Sequence, residues 1–349
     1  MGGVARGCRA IRSSPGLDAP SRSGRDARRL RDEHGRPPYS AIVQTIAGAE
    51  HLDLIRHRSG EERALQRAAA RGEVTRLRSG AYVSTAIWRT LAPEDRRRLE
   101  VVAMARMHSG FVASHRSAAA LWRIPTVQRP DGLVHARVTL AAGSRTEHGV
   151  RKHAVRDVDQ HLTTVAGVLC TDFERTALDL AATEPFPEAV AALDWVLARG
   201  VGKERLQEVL DEWAPSRGRR RVEEALAFAD PASGSPGESV SRVRIHQDGF
   251  PPPVLQQAFF DGAGLIGYVD FWWPDVGVIG EFDGLKKYRE AELLARRSPG
   301  EVVVAEKIRE DRLRATPTHP VVVRWIWAEL QTPGALANRL TQAGLRRVR

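Results

Sequence analysis

The stretch Gly264-Leu-Ile-Gly-Tyr-Val-Asp-Phe-Trp-Trp-Pro-Asp-Val-Gly-Val-Ile-Gly-Glu-Phe-Asp-Gly284 decides how this chain is read. It reads as a β-hairpin, with Asp270 near the end of its first arm and Glu281 and Asp283 near the end of its second. Side chains alternate across a strand, so if Val278, Gly280 and Phe282 face a core, Ile279, Glu281 and Asp283 share the other face. Repulsion among close carboxylates raises their pKa values and costs stability, so such clusters usually hold a cation between them. The three acids therefore mark an expected divalent-metal site.

Working outward, 349 residues leave room for two or three domains with separate cores. A hydrophobic content of 42% with 28% charged residues fits a globular chain. Lys and Arg number 53 against 43 Asp and Glu, a formal charge of +10, and the pI is about 10.3. That balance favours a polyanionic partner, although basicity alone gives only weak, sequence-independent binding to nucleic acid. The two cysteines, Cys8 and Cys170, lie far apart and cannot make a four-ligand zinc site or a disulfide framework. No apolar run approaches the roughly 18 residues a membrane span needs, and no apolar segment follows Arg6, Arg9 and Arg12 as in a signal peptide. The expectation is a cytoplasmic protein without a membrane partner.

Residues 1–36 are rich in Arg, Gly, Ser and Pro with nothing periodic to bury, the composition of a disordered basic tail. Residues 37–90 change character. Ala41 to Ala47 reads as a short apolar helix, and Gly60 to Arg71 as a second. The latter puts Arg63, Gln66, Arg67 and Arg71 on one flank and Leu65, Ala68 and Ala69 on the other, ending at Gly72. Glu73 to Ser84 reads as two strands joined at Ser79-Gly80. Two helices and a β-ribbon describe a winged helix-turn-helix in an α+β N-terminal region. Its basic helix would enter the major groove, and Arg76 and Arg78 on the wing would lie along phosphates.

Three segments carry a family likeness: Ala70-Arg-Gly-Glu-Val-Thr-Arg-Leu-Arg-Ser-Gly-Ala-Tyr-Val83, Ala113-Ser-His-Arg-Ser-Ala-Ala-Ala-Leu-Trp122 and Cys170-Thr-Asp-Phe-Glu-Arg-Thr-Ala-Leu-Asp-Leu180. In this order and spacing the chain resembles the N-terminal domain of AbiEi-type antitoxins, bacterial regulators of type IV toxin–antitoxin systems. The resemblance implies promoter binding and autorepression, and leaves open whether a toxin is the partner.

Residues 91–229 read as an α+β middle region. Helices are expected at Pro93–Met107, Ser114–Trp122, Asp172–Ala182, Glu188–Arg199 and Lys203–Trp213, with a small sheet between Leu133 and Thr164. Ser114 or Ser117, His115 and Asp172 make no hydrolase triad, because no Gly-x-Ser-x-Gly elbow is present; Ser114 reads as a helix N-cap. His148, His153 and His161 have no helix-pair spacing and read as exposed, and Arg175 with Asp179 as a solvated i,i+4 pair.

Asp230 to Gly237 is turn-rich and reads as a linker, with a new unit over 238–349. The expected order is helix, three strands, helix, strand, helix. Gly237-Glu-Ser, Tyr268-Val-Asp-Phe, Gly280-Glu-Phe-Asp-Gly284, Arg309-Glu-Asp-Arg-Leu313 and Val322-Val-Arg-Trp325 together resemble the PD-(D/E)XK nuclease superfamily, in its branch related to very-short-patch-repair endonucleases. The resemblance implies an α/β restriction-endonuclease-like domain with a mixed central sheet. It further implies Asp270 and Glu281 as ligands of Mg²⁺ (or Mn²⁺), helped by the Phe282 carbonyl, with Glu238 in a supporting or second-metal role. The superfamily's lysine, two residues after the acid, is here Asp283, and Lys286 or Lys287 is expected to compensate. Asp311 is a further candidate ligand, and Arg309 and Arg312 would meet phosphate or pair with the acids. Trp272, Trp273, Trp325 and Trp327 read as core.

Two functions fit: a DNA-binding protein whose winged helix targets a Mg²⁺-dependent nuclease domain, or a non-enzymatic AbiEi-type antitoxin or transcriptional regulator with an inactive nuclease fold.

Overall fold

Residues 55–56, 62–78, 80–128, 131–215, 217–284 and 299–348 are described by the structure, a computed structural model. The expected tail over 1–36, the helix at Ala41–Ala47, and Lys286 and Lys287 lie outside the described residues.

Strand β1 (Ile55–Arg56) precedes helix α1 (Glu62–Ala70), which is followed by β2 (Val74–Arg78) and β3 (Ala81–Ser84). The three strands form an antiparallel sheet in the order β1-β3-β2. Gly72 ends α1 as expected: at φ +76° it lets its own amide reach Ala69 O and that of Glu73 reach Ala68 O, the paired bonds that satisfy a helix's last carbonyls.

Helix α2 (Thr85–Thr90) closes the N-terminal region, and the middle region begins with α3 (Pro93–Met107) and α4 (His115–Trp122). Strands β4 (Val134–Thr139), β5 (Arg145–Glu147) and β6 (Val150–Val155) make a mixed sheet, ordered β4-β6-β5 with β4 and β6 parallel. A hairpin of β7 (Leu162–Val165) and β8 (Val168–Thr171) leads into α5 (Phe173–Thr183), α6 (Phe186–Leu197), α7 (Lys203–Trp213) and α8 (Arg219–Phe228). No helix is expected between Trp213 and Asp230, yet α8 starts at Arg219 and buries Val222, Ala225 and Leu226, an i, i+3, i+4 stripe.

Helix α9 (Pro236–Gln247) belongs to both halves of the chain. Its Val243 lies in the middle region's core and its Val240 and Ile245 in the C-terminal one, while Arg242 donates to both carboxylate oxygens of Asp194 on α6 at 3.0 and 2.9 Å. The turn-rich stretch before it is tied down as well, with Asp230 N donating to Asp194 Oδ1.

Strands β9 (Val254–Asp261), β10 (Gly264–Trp273) and β11 (Val278–Phe282), helix α10 (Pro299–Arg314), strand β12 (Val321–Trp325), and helices α11 (Trp327–Gln331) and α12 (Ala335–Gln342) complete the described chain. This is the expected order of elements, except that the single closing helix expected is two, α11 and α12. The sheet runs β12-β11-β10-β9, antiparallel except for the parallel β11/β12 pair, so it is mixed. Both faces are covered. Phe271, Trp273, Val278, Phe282 and Trp325 pack against α9 and α12, whereas Phe259, Val269, Trp272 and Ile279 pack with Leu313 of α10. Trp272, Trp273 and Trp325 are buried and Trp327 is partly so, as read from the sequence. A Cβ on Gly237 would fall 1.9 Å from the Phe282 ring, so this glycine lets the start of α9 lie directly on β11. Among the described residues no helix is long and apolar enough to cross a membrane.

Candidate functional site

The hairpin brings Asp270 and Glu281 to neighbouring positions on adjacent strands, one step beyond the Phe271–Gly280 pair. Both are buried, at 8% and 7% exposure. Asp270 Oδ2 accepts the Phe282 amide at 2.8 Å, which fixes its rotamer across the ladder. Its Oδ1 faces Gln256 Nε2 at 3.4 Å, and the same Nε2 donates to Glu238 Oε2 at 2.8 Å. Gln256 is the link the sequence reading missed. It stands at φ +49° in β9, a backbone cost of about 1–2 kcal/mol for a non-glycine residue.

Glu238 is 3% exposed and held by the turn before α9. Ser235 caps that helix, its Oγ accepting from Glu238 N and donating to Glu238 Oε1 at 2.8 Å, and Gly234 N donates to Oε2 at 2.7 Å. The spacing Ser235-x-x-Glu238 is a helix-start signature that places the helix's beginning before Glu238, where the sequence reading put it.

Glu281 is bound by arginines. Arg309 of α10 donates to Oε1 at 2.8 Å and to Oε2 at 3.3 Å, and Arg324 of β12 lies 3.1 Å from Oε2. Arg324 is the register partner of Glu281 in the parallel β11/β12 ladder. It also meets Glu306 at 2.6 Å, Glu310 at 3.2 Å and Asp283 at 3.5 Å. Burial would lower the Arg324 pKa, but the hydrogen bond to Glu306 and the surrounding carboxylates hold it above the usual arginine value. Arg309 behaves likewise, its burial outweighed by Glu281 and Glu306. The acids of α10 that reach the cluster are thus Glu306 and Glu310, while Asp311 is exposed.

Among the described residues no group of three or more His, Cys, Asp or Glu side chains is arranged to hold a metal ion. Mg²⁺ commonly takes only one or two carboxylates and fills its remaining positions with water and substrate phosphate oxygens. Asp270 and Glu281, two hard oxygen donors on adjacent strands, fit that pattern in their chemistry.

The other residues expected at DNA separate into groups. Arg63, Gln66, Arg67, Arg71 and Arg76 are exposed. Arg71 pairs with Glu73 at 2.7 Å, and Arg76 Nε donates to Arg78 O. Arg78 instead turns inward: its Nη1 would lie 3.0 Å from a Cβ on Gly149, and burial lowers its pKa. Arg312 is engaged by both oxygens of Asp261 at 2.7 Å, and that hydrogen bonding pushes the Asp261 pKa down to about 2.

A second polar cluster, in the middle region, corrects the sequence reading. Arg175 and Asp179 are not solvated: they are 0% and 1% exposed, joined at 2.8 Å, and the Arg175 guanidinium stacks 4.0 Å from the Trp213 ring. Burial would raise Asp179, but Arg175, His115 and Arg137 together hold it below its usual range. His115 stacks on His153 with ring centroids 3.5 Å apart, and His135 Nδ1 lies 3.0 Å from His153 Nε2. Burial drives His115 well below the usual imidazole value and His153 to about 4. His161 bridges Asp172 and Glu212 at 3.3 and 3.2 Å, so of the three histidines read as exposed only His148 is. Ser114 holds the N-cap position without a side-chain cap bond, its Oγ lying 3.0 Å from His115 Nδ1 instead. Asp172 caps α5, its Oδ1 accepting from Arg175 N, while its Oδ2 faces His161.

Compared with known proteins, the chain is 34% identical over 132 residues to the uncharacterized proteins MT2308 and Rv2248 of two Mycobacterium tuberculosis strains. The match covers 37% of this chain and 48% of each of theirs, so the chain spans about half the length of the curated relatives it matches. No family model matches it, and no solved structure matches it significantly.

Proposed function

We propose that this is a DNA-binding protein in which an N-terminal winged helix targets or regulates, and the C-terminal sheet carries a Mg²⁺- or Mn²⁺-dependent nuclease site acting on DNA phosphodiester bonds. The observation that carries it is Asp270 beside Glu281 on β10 and β11, with Glu238 and Gln256 behind. A cation held there by Asp270 and Glu281 would lower the pKa of a bound water and offset charge on the scissile phosphate. Asp270 is oriented for that task by the Phe282 amide and by Gln256, which Glu238 holds in place. Arg324 stands beside Asp283, the position where the resembled superfamily has lysine. It brings a fixed positive charge and hydrogen-bond donors but, being always protonated, no general base. The exposed Arg63, Arg67 and Arg76 support contact of the N-terminal part with phosphates.

The second reading is a non-enzymatic regulator or AbiEi-type antitoxin, with or without a toxin partner. The double arginine clamp on Glu281 favours it, since such ion pairs also serve as structure. Plasmid incubated with the protein and Mg²⁺, Mn²⁺ or EDTA separates the two. Metal-dependent nicking by the native protein, lost in Asp270→Ala and Glu281→Ala, is expected from the nuclease. Absence of cleavage under every metal and with single-stranded as well as duplex DNA leaves the regulator.

A further inference from the structure

Glu281 is claimed twice in the proposed site, as a metal ligand and as the partner of two guanidinium groups. Its two arginines are held very differently. Arg324 lies on the neighbouring strand, in register with Glu281, and meets Glu281, Asp283, Glu306 and Glu310 within 3.5 Å. Losing Glu281 would leave it three carboxylates. Arg309 comes from α10; its side chain is 23% exposed, the same as that of Arg324, and the difference lies in its partners. Apart from Glu281 it meets Glu306, one helical turn away at 2.9 Å, and the Tyr268 carbonyl at 2.8 Å. The Glu306 pair lies on its own helix, so Arg309 can release Glu281 and pivot about Glu306 without unpairing.

Its resting place across β10 is also built for it. Gly267, at the irregularity in the β9/β10 ladder, has φ +152°, and a Cβ there would sit 3.1 Å from Arg309 Nε. A Cβ at this position would force the guanidinium to give by a few tenths of an ångström.

From this geometry we infer that Arg309 is a placeholder cation: it neutralises Glu281 in the ligand-free chain, gives the carboxylate up to a divalent metal ion, and then meets the DNA phosphate that arrives with the metal. The inference rests on the metal-site reading above and adds its regulation. Metal and DNA binding become coupled, because the phosphodiester supplies the negative charge that Arg309 loses when it leaves Glu281. It also gives opposite signs to two affinities for one substitution, which a structural arginine would not.

The test is calorimetric titration of the full chain with Mn²⁺, and anisotropy with a short labelled duplex, for the native protein, Arg309→Met, Arg312→Met and Glu281→Gln. Removing a competitor that occupies the binding-competent carboxylate most of the time tightens the apparent affinity by the reciprocal of the free fraction, about tenfold for 90% occupancy. Arg309→Met is therefore expected to bind Mn²⁺ about tenfold more tightly and duplex DNA several-fold more weakly. Arg312→Met removes an equal charge from the same helix but one that pairs with Asp261, so its Mn²⁺ affinity should stay within about twofold. Glu281→Gln should lose Mn²⁺ binding. Equal tightening in Arg309→Met and Arg312→Met would reduce the effect to general charge and overturn the competition. So would unchanged or weaker Mn²⁺ binding in Arg309→Met with Glu281→Gln still abolishing it, an outcome that leaves the metal site standing. If neither the native chain nor Arg309→Met binds Mn²⁺, the metal-site reading falls and the competition with it. Should Arg309→Met lose its cooperative unfolding transition, Arg309→Lys replaces it: the ammonium lacks the two-pronged grip on Glu281, and tighter Mn²⁺ binding is again expected, with no change or weaker binding counting against.

Discussion

Two of the buried groups of opposite charges among the described residues are built to different ends. In the middle region Arg175 and Asp179 are sealed at 0% and 1% exposure, capped by Trp213 and stacked histidines. In the C-terminal sheet the acids Asp270 and Glu281 are nearly as buried, but the arginines that neutralise Glu281 remain 23% exposed. A sealed pair can exchange nothing with solvent and serves the fold. An open one can trade a guanidinium for a cation or a phosphate. Burial of charge alone therefore does not mark a site; what marks it is a charged group whose present partner has a way out.

The largest effect that would break this contrast lies in the sealed pair. Arg175→Met leaves Asp179 buried without its ion partner, which costs about 3–5 kcal/mol, whereas the double variant Arg175→Met with Asp179→Leu should recover much of that in urea unfolding. A loss under 1 kcal/mol for the single variant would mean that the pair is not sealed. Next comes Gly237→Ala. Its Cβ would meet the Phe282 ring at 1.9 Å, so α9 must shift off β11 at a cost of about 1–3 kcal/mol, read in the same assay.

The histidines beside the sealed pair make acid sensitivity the third test. His153, at about 4 when folded because it is buried, takes up protons near 6.5 when unfolded. Between those values the unfolded chain binds more protons, so stability is complete above about pH 6.5 and falls as pH drops toward 4. At pH 5 the loss from such a histidine is about 1–2 kcal/mol, and His115, lowered in the same direction, adds to it. His153→Gln should flatten the decline, and an unchanged profile would contradict the depressed value. The smallest stability effect belongs to the open cluster, where Arg309→Met should cost no more than about 1 kcal/mol. A loss matching that of Arg175→Met would erase the contrast.

Much of this architecture was legible in the residues, because it depends on local periodicity. The hairpin from Gly264 to Phe282, the helices at Pro93–Met107 and Lys203–Trp213, and the glycine stop at Gly72 all follow from patterns within one or two turns of chain. Asp270 and Glu281 came together because a hairpin pairs close neighbours. Arg324 was not legible as the partner of Glu281, since a parallel pairing of β11 with β12 spans an intervening helix and no local spacing encodes its register. Nor could i,i+4 spacing tell a buried Arg175–Asp179 pair from a solvated one, as only the helices packed over it decide. Gln256 escaped notice because its role depends on an unusual backbone angle rather than on a motif. Helix α8 was missed behind its three leading arginines, Arg219 to Arg221, although Val222, Ala225 and Leu226 have the spacing of a buried face.

The most direct measurement of the central contrast is thermal unfolding with and without millimolar Mn²⁺, for the native chain and Asp270→Asn. A ligand that binds only the folded state raises its stability by mass action. The native midpoint should rise by a few degrees with Mn²⁺, and Asp270→Asn should show no rise while unfolding as cooperatively as the native chain. No shift in the native protein, or an equal shift in Asp270→Asn, would contradict a cation site at Asp270 and Glu281.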